Sequence, residues 1–166
     1  MCVAIDRVCK FAYAEWPEEA SQGVAAQCLC KLMVAVPDKI HPVLPDHGIQ
    51  CTNQQGDQYA FPHLFDRLCQ ADGLDQRLTK INHPWTNGQV ERMKRTRKEA
   101  TVKKSSSQTH QHLKEHLQAF LMAYNFAKRL KTLSGLTSDE SIGYCWQHEP
   151  ERFTMNPYHH TMGLNT

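Results

Sequence analysis

Long apolar runs are missing from this sequence, and so are the cysteine spacings of small metal-bound or disulfide-stapled frameworks. No stretch approaches the roughly 20 apolar residues needed to cross a bilayer, so neither a spanning segment nor a membrane partner is predicted. The seven cysteines include no Cys-x-x-Cys, and Cys28 and Cys30 form the nearest pair. An odd count without framework spacing predicts reduced thiols and a soluble, cytosolic protein. The N-terminal stretch MCVAIDRVCK carries Asp6 and Arg7 where a secretory signal needs an apolar core. No internal repeat is present. Charge of one sign is also scarce overall: the formal net charge is +2, which by itself makes no case for a polyanionic partner.

What is there fits one ordinary domain. The 166 residues suffice for a single core, and 40% apolar with 22% charged residues is a globular balance. The charge is unevenly placed. Arg92, Lys94, Arg95, Arg97, Lys98, Lys103 and Lys104 put seven of the nineteen basic residues within 91–104, against only Glu91 and Glu99.

Periodicity orders the chain as β-β-α-β-α-β-α-α, an alternation that predicts an α/β layer. Two strands fall at 2–6 and 10–15. A helix over about 18–36 buries Val24, Ala25, Cys28, Leu29, Leu32, Met33 and Val36 and stops at Pro37. A short apolar strand at 39–44 runs into the turn Pro45-Asp46-His47-Gly48. A helix over about 59–72, with Phe61, Leu64, Phe65, Leu68 and Cys69 on one side, stops at Gly73. A strand follows at 74–80, then a loop and the basic helix at about 87–104. A helix at about 109–130 turns Leu113, Leu117, Phe120, Leu121 and Tyr124 inward, and a short one lies near 137–147. Residues 148–166 read as an irregular tail.

Two carboxylates hold privileged places. Asp46 follows the end of an apolar strand, and Glu91 stands in the opening turns of the basic helix, on one face with Arg95 and Lys98. Hard oxygen ligands suit Mg²⁺, which takes one or two carboxylates together with phosphate oxygens. Phosphodiester chemistry needs that combination of a cation holder and phosphate-gripping bases. On spacing alone this signal is weak, since an acid at a helix start is usually dipole compensation and an acid four residues before a base is usually a surface ion pair. His112 and His116, four apart, have no third ligand placed with them, so a solvated face is the simpler reading.

The stretch HPWTNGQVERM, with DHGIQCTN upstream, resembles the catalytic core of DDE transposases of bacterial insertion sequences, relatives of retroviral integrases. His83, Pro84, Thr86, Asn87, Gly88, Glu91 and Arg92 fit the family's third-carboxylate motif, and Leu44, Asp46 and Gly48 its second. Tyr124-Asn125, Arg129, Leu136-Thr137 and Glu140 fit its C-terminal motif, and VAIDRVCKFAYAE its second and third strands. The resemblance implies a ribonuclease H-like α/β fold over residues 1–147, with C-terminal helices, followed by the tail 148–166. It implies two divalent ions, Mg²⁺ or Mn²⁺, held by carboxylates that include Asp46 and Glu91, which are thereby the candidate catalytic residues. Arg92, Lys94, Arg95 and Lys98 become candidate DNA contacts. Implied partners are transposon ends and target DNA, further copies of the chain, or full-length transposase in a mixed assembly. The implied location is the bacterial cytosol, at the nucleoid.

The family places its first carboxylate on a central strand that precedes the one matched by VAID. The sequence therefore reads as an N-terminally truncated copy with an incomplete triad, and as an enzyme inactive on its own. Asp6 lies on the second strand of the pattern, and a turn or structural role is predicted for it. Pro45 stands where Thr or Ser is common, His47 where Asn or Gln is, Lys94 where Asn is, and Ser138 where Pro is. The alternative function is a non-catalytic DNA-binding fragment, or an inhibitor of the full-length enzyme.

Overall fold

The structure is a computed structural model, and it describes residues 2–17, 22–45, 64–77, 88–102 and 110–159. Strand β1 (Cys2–Ile5) and strand β2 (Ala12–Glu15) form an antiparallel hairpin, with Ile5 opposite Ala12 and Cys2 opposite Glu15. Its turn is held by Asp6, whose carboxylate accepts the N–H groups of Val8 (3.2 Å) and Cys9. Asp6 thus has the turn role predicted for it, that of an Asx-turn residue. Lys10 takes a positive φ of 60° where the chain swings back.

Helix α1 (Gln22–Ala35) buries Ala25, Cys28 and Leu29 on the predicted face, and ends before the buried Pro37. Strand β3 (Pro42–Val43) is shorter than the predicted run. It pairs in parallel with strand β4 (Asp75–Gln76). Between them, helix α2 (Leu64–Ala71) buries Phe65 and Cys69. Leu64, expected on that face, is 49% exposed at the start of the helix as described. Gly73 stops α2 as predicted. At φ 66° it donates to the Gln70 carbonyl while Leu74 donates to that of Cys69, the paired bonds of a Schellman ending.

Helix α3 (Gly88–Val102) and helix α4 (His110–Met122) follow, and α3 packs on both β1 and α4. Of the predicted inner face of α4 only Leu117 is fully buried, and Leu113, Phe120, Leu121 and Tyr124 are half-buried. The predicted 109–130 helix changes character at Ala123–Ala127, a π-helical turn, and gives way to extended chain at Lys128. Helix α5 (Ser138–His148) opens on a reciprocal cap. Thr137 accepts the Glu140 N–H, and the Glu140 carboxylate accepts the Thr137 N–H.

Two apolar clusters form the core. One gathers Ala25, Leu29, Phe65 and Cys69 beneath Val43 and Leu74. The other joins Cys9 and Phe11 of the hairpin to Ile142 of α5 and to Phe153. Within the segment read as an irregular tail, short turns at Pro150–Arg152 and Pro157–His159 flank Phe153. Phe153 packs edge-on to Trp146, and its backbone bridges to Asp38.

The expectation of seven free thiols is corrected by a disulfide between Cys2 of β1 and Cys28 of α1. Spacing gives no hint of a pair 26 residues apart; the packing of α1 on the hairpin creates it. The sulfurs of Cys9 and Cys145 also meet, at 3.5 Å, as thiols. Among the described residues, no helix is long and apolar enough to cross a membrane.

The outer edge of β2 is closed by a side chain. Asn125, 3% exposed, accepts the Ala12 N–H at 2.9 Å and donates to the Ala12 carbonyl at 2.8 Å. Asn125→Ala strands both groups in the core, so a loss of about 2–4 kcal/mol is expected in urea denaturation. A loss below about 0.5 kcal/mol would show that water satisfies Ala12 instead.

Burial, reinforced by the Asp6 charge and opposed by Arg152, pushes the Asp38 carboxyl up from 3.8 to about 6. The folded chain therefore keeps a proton that the unfolded chain releases between those values. Its contribution to stability is full below about pH 4 and is lost as pH rises through about 6. Asp38→Asn is expected to flatten the fall in urea midpoint over that window. An identical fall in both proteins would assign the titration elsewhere.

Candidate functional site

Helix α3 presents two unlike sides. Met93, 5% exposed, anchors it to the body, and the positions about half a turn away face outward. Glu91 lies in the first turn, where a carboxylate complements the positive end of the helix dipole. Its side chain is 62% exposed, and one oxygen sits 2.9 Å from the Lys94 ammonium. This pair, one turn apart, is a surface contact worth at most about 1 kcal/mol, so a stronger cation can displace the lysine.

Beside that pair opens a cleft of about 380 Å³, lined among the described residues by Gly88, Glu91, Arg92 and Arg95. Arg95 is exposed and forms no ion pair among the described residues. Arg92 lies close enough to Tyr124 to counter, in part, the upward push that burial gives the Tyr124 hydroxyl. Gly88 is a lining residue that charge-based reading passes over. A Cβ there would meet no atom within 4 Å, so the glycine widens the mouth rather than relieving a clash. One carboxylate and two guanidinium groups thus converge on one opening, able to bind a cation and a phosphodiester side by side.

Of the residues predicted from sequence, the structure brings together Glu91, Arg92, Lys94 and Arg95. Asp46 lies outside the described residues, although the chain enters it directly from the end of β3, through Leu44 and the buried Pro45. Residues 78–87, with His83, Pro84, Trp85, Thr86 and Asn87, also lie outside them. The Lys98 backbone belongs to α3, two turns on from Glu91, but its side chain is not among those described. Among the described residues no three or more His, Cys, Asp or Glu side chains cluster as metal ligands. His112 and His116 are exposed on α4.

The C-terminal motif is architectural. Asn125 clamps β2, and Arg129 donates to the Gly135 carbonyl at 2.9 Å and contacts both oxygens of Glu140 at 3.4 Å. Glu140 is held below the usual carboxylate range, first by the Thr137 N–H and also by Arg129. Ser138, in place of the commoner proline, is fully buried, and its hydroxyl donates to the Lys10 carbonyl at 3.2 Å.

Residues 72–137 match the integrase core domain family. The fold is similar to that in the crystal structure of the catalytic core domain of BIV integrase, with a TM-score of 0.65 and 20% identity, covering 90% of this chain and 88% of that one. No curated protein matches the sequence. The fold is therefore of the integrase catalytic-core type, with residues 72–137 matching the integrase core domain model.

Proposed function

We propose that this chain is the core of a DDE-type polynucleotidyl transferase of the insertion-sequence transposase kind, acting on DNA phosphodiesters. The observation that carries the reading is the cleft at the start of α3, where Glu91 meets Arg92 and Arg95 inside the segment matched to the integrase core. Glu91 fits a divalent ion as a ligand, being an exposed hard-oxygen donor whose present partner is a displaceable lysine. Asp46 and Glu91 would hold Mg²⁺ or Mn²⁺, which supplies Lewis-acid polarisation and a nucleophile at neutral pH. The chain's own contribution is to grip and orient the backbone through Arg92, Lys94, Arg95 and Lys98, with affinity that depends on salt. Transposon ends and target DNA are the proposed substrates.

A second reading, a DNA-binding fragment without nuclease activity or an inhibitor through mixed assembly, is favoured by the sheet. Among the described residues its two strand pairs are not joined by a common strand. In the family that the sequence resembles, a central strand bears the first carboxylate. Incubation of supercoiled plasmid with the chain and Mn²⁺ separates the two. Nicking abolished by Glu91→Gln supports the first reading, and retention of DNA without nicking supports the second. Absence of both nicking and binding would sink each of them.

Two further outcomes follow from the cleft. Replacing Arg92 and Arg95 together by Ala should lower DNA affinity and flatten the log–log salt dependence by about one to two units. An unchanged slope removes both arginines from the interface. Lys94→Asn, which frees the Glu91 carboxylate, should tighten Mn²⁺ binding by about 2- to 10-fold in titration calorimetry, and Glu91→Gln should weaken it. Equal affinity in the Lys94 variant and the parent chain would mean that the ion binds elsewhere.

A further inference from the structure

The turn of the hairpin meets α5 along one side of that helix. Ser138, Ser141, Ile142 and Cys145 recur at three- and four-residue spacing and so share that side. The Ser138 hydroxyl donates to the Lys10 carbonyl, and Ile142 packs with Cys9 and Phe11. Cys145 joins the same cluster and brings its sulfur 3.5 Å from that of Cys9. Both thiols are carried on hydrogen-bonded backbone. The Cys9 N–H donates to the Asp6 carboxylate, and the Cys145 carbonyl accepts the Glu149 N–H at 2.8 Å where α5 ends. Two sulfurs 136 residues apart in sequence are thus held in contact by bonds in which neither takes part.

The two thiols differ in access. Cys9 is 2% exposed, whereas Cys145 is half-buried. Burial, with the Cys145 contact and the Asp6 charge, pushes the Cys9 thiol above the ordinary thiol range, so Cys9 is not the sulfur that a dissolved reagent engages first. No other free sulfurs are in contact among the described residues: Cys30 is exposed on α1, and Cys69 lies in the other cluster with Phe65. The hairpin already carries one oxidised pair at its other end, where Cys2 is joined to Cys28.

We propose that Cys9 and Cys145 form an oxidation site, which a small disulfide such as oxidised glutathione converts to an intrachain disulfide stapling the hairpin turn to α5. The Cys145 thiolate attacks one sulfur of the reagent, whose S–S bond breaks and releases one thiol. Cys9 then loses its proton to solvent base and attacks the Cys145 sulfur of the mixed disulfide, releasing the second thiol. Two protein thiols are oxidised by two electrons in all, and the reagent is reduced to two thiols. Contact between the sulfurs makes the second step intramolecular, and the burial of Cys9 keeps a second reagent molecule from it. A link across 136 residues restricts the unfolded chain strongly, so the oxidised protein is the more stable one. The site is independent of the DNA chemistry proposed above.

The test needs neither DNA nor metal. The full chain, with its Cys2–Cys28 disulfide intact, is treated with oxidised glutathione, its remaining thiols are blocked with iodoacetamide, and it is digested without reduction. Mass spectrometry should find Cys9 joined to Cys145, with two hydrogens lost, as the main product at these positions. Treatment should raise the urea midpoint by about 1 M or more, a rise absent from Cys145→Ser, in which Cys9 should stay a thiol. Treatment in concentrated urea, where the fold no longer brings the sulfurs together, should yield mixed pairings instead. Glutathione left on Cys145 beside a free Cys9, no reaction at either position, or Cys9 joined to another cysteine overturns the proposal. So does direct reaction of Cys9 in Cys145→Ser, an equal share of the Cys9–Cys145 link in urea, or a midpoint that does not rise.

Discussion

The buried amide of Asn125 is the contact on which the architecture depends. A sheet edge inside a protein must satisfy its peptide groups, since each one left unpaired costs about 1–3 kcal/mol. Asn125 offers one acceptor and one donor in the geometry of a neighbouring strand, and it meets both polar groups of Ala12. The outer edge of the hairpin is thereby satisfied at Ala12, and the helical region ending at Ala127 is fastened to it.

The candidate site depends on a different constraint, the division of α3 into a held side and an open one. Met93 fastens the helix, so the outward-facing residues one turn apart are presented together. Glu91 at the positive end of the helix, with Arg92 and Arg95 beside it, gathers opposite charges in one cleft without burying any of them. Avoiding burial keeps desolvation costs low.

Two departures from the pattern of the family that the sequence resembles acquire physical content. Lys94 occupies the Glu91 carboxylate, so this chain carries an internal competitor for any metal at that position. Ser138 keeps the opening of α5 intact, because Thr137 and Glu140 already form the reciprocal cap. It also adds a bond to the hairpin turn at Lys10 that proline could not donate. The first substitution bears on chemistry, and the second only on packing.

Local signals determined the order of elements and most of their ends. Pro37 and Gly73 stop helices for reasons contained in their own backbones, and the 3.6-residue period marked Ala25, Leu29 and Phe65 for the core. The crowding of basic residues around Glu91 was legible in the same way, because a helix brings residues three and four apart onto one face. Tertiary structure decided whatever joins distant segments. The Asn125–Ala12 bonds span 113 residues, and the Cys2–Cys28 disulfide spans 26. Phe153, in a segment read as irregular, became a core residue because α5 and Asp38 lie beside it. No periodicity encodes such pairings. They arise when the packing of helices and strands brings peptide groups, thiols and rings within reach.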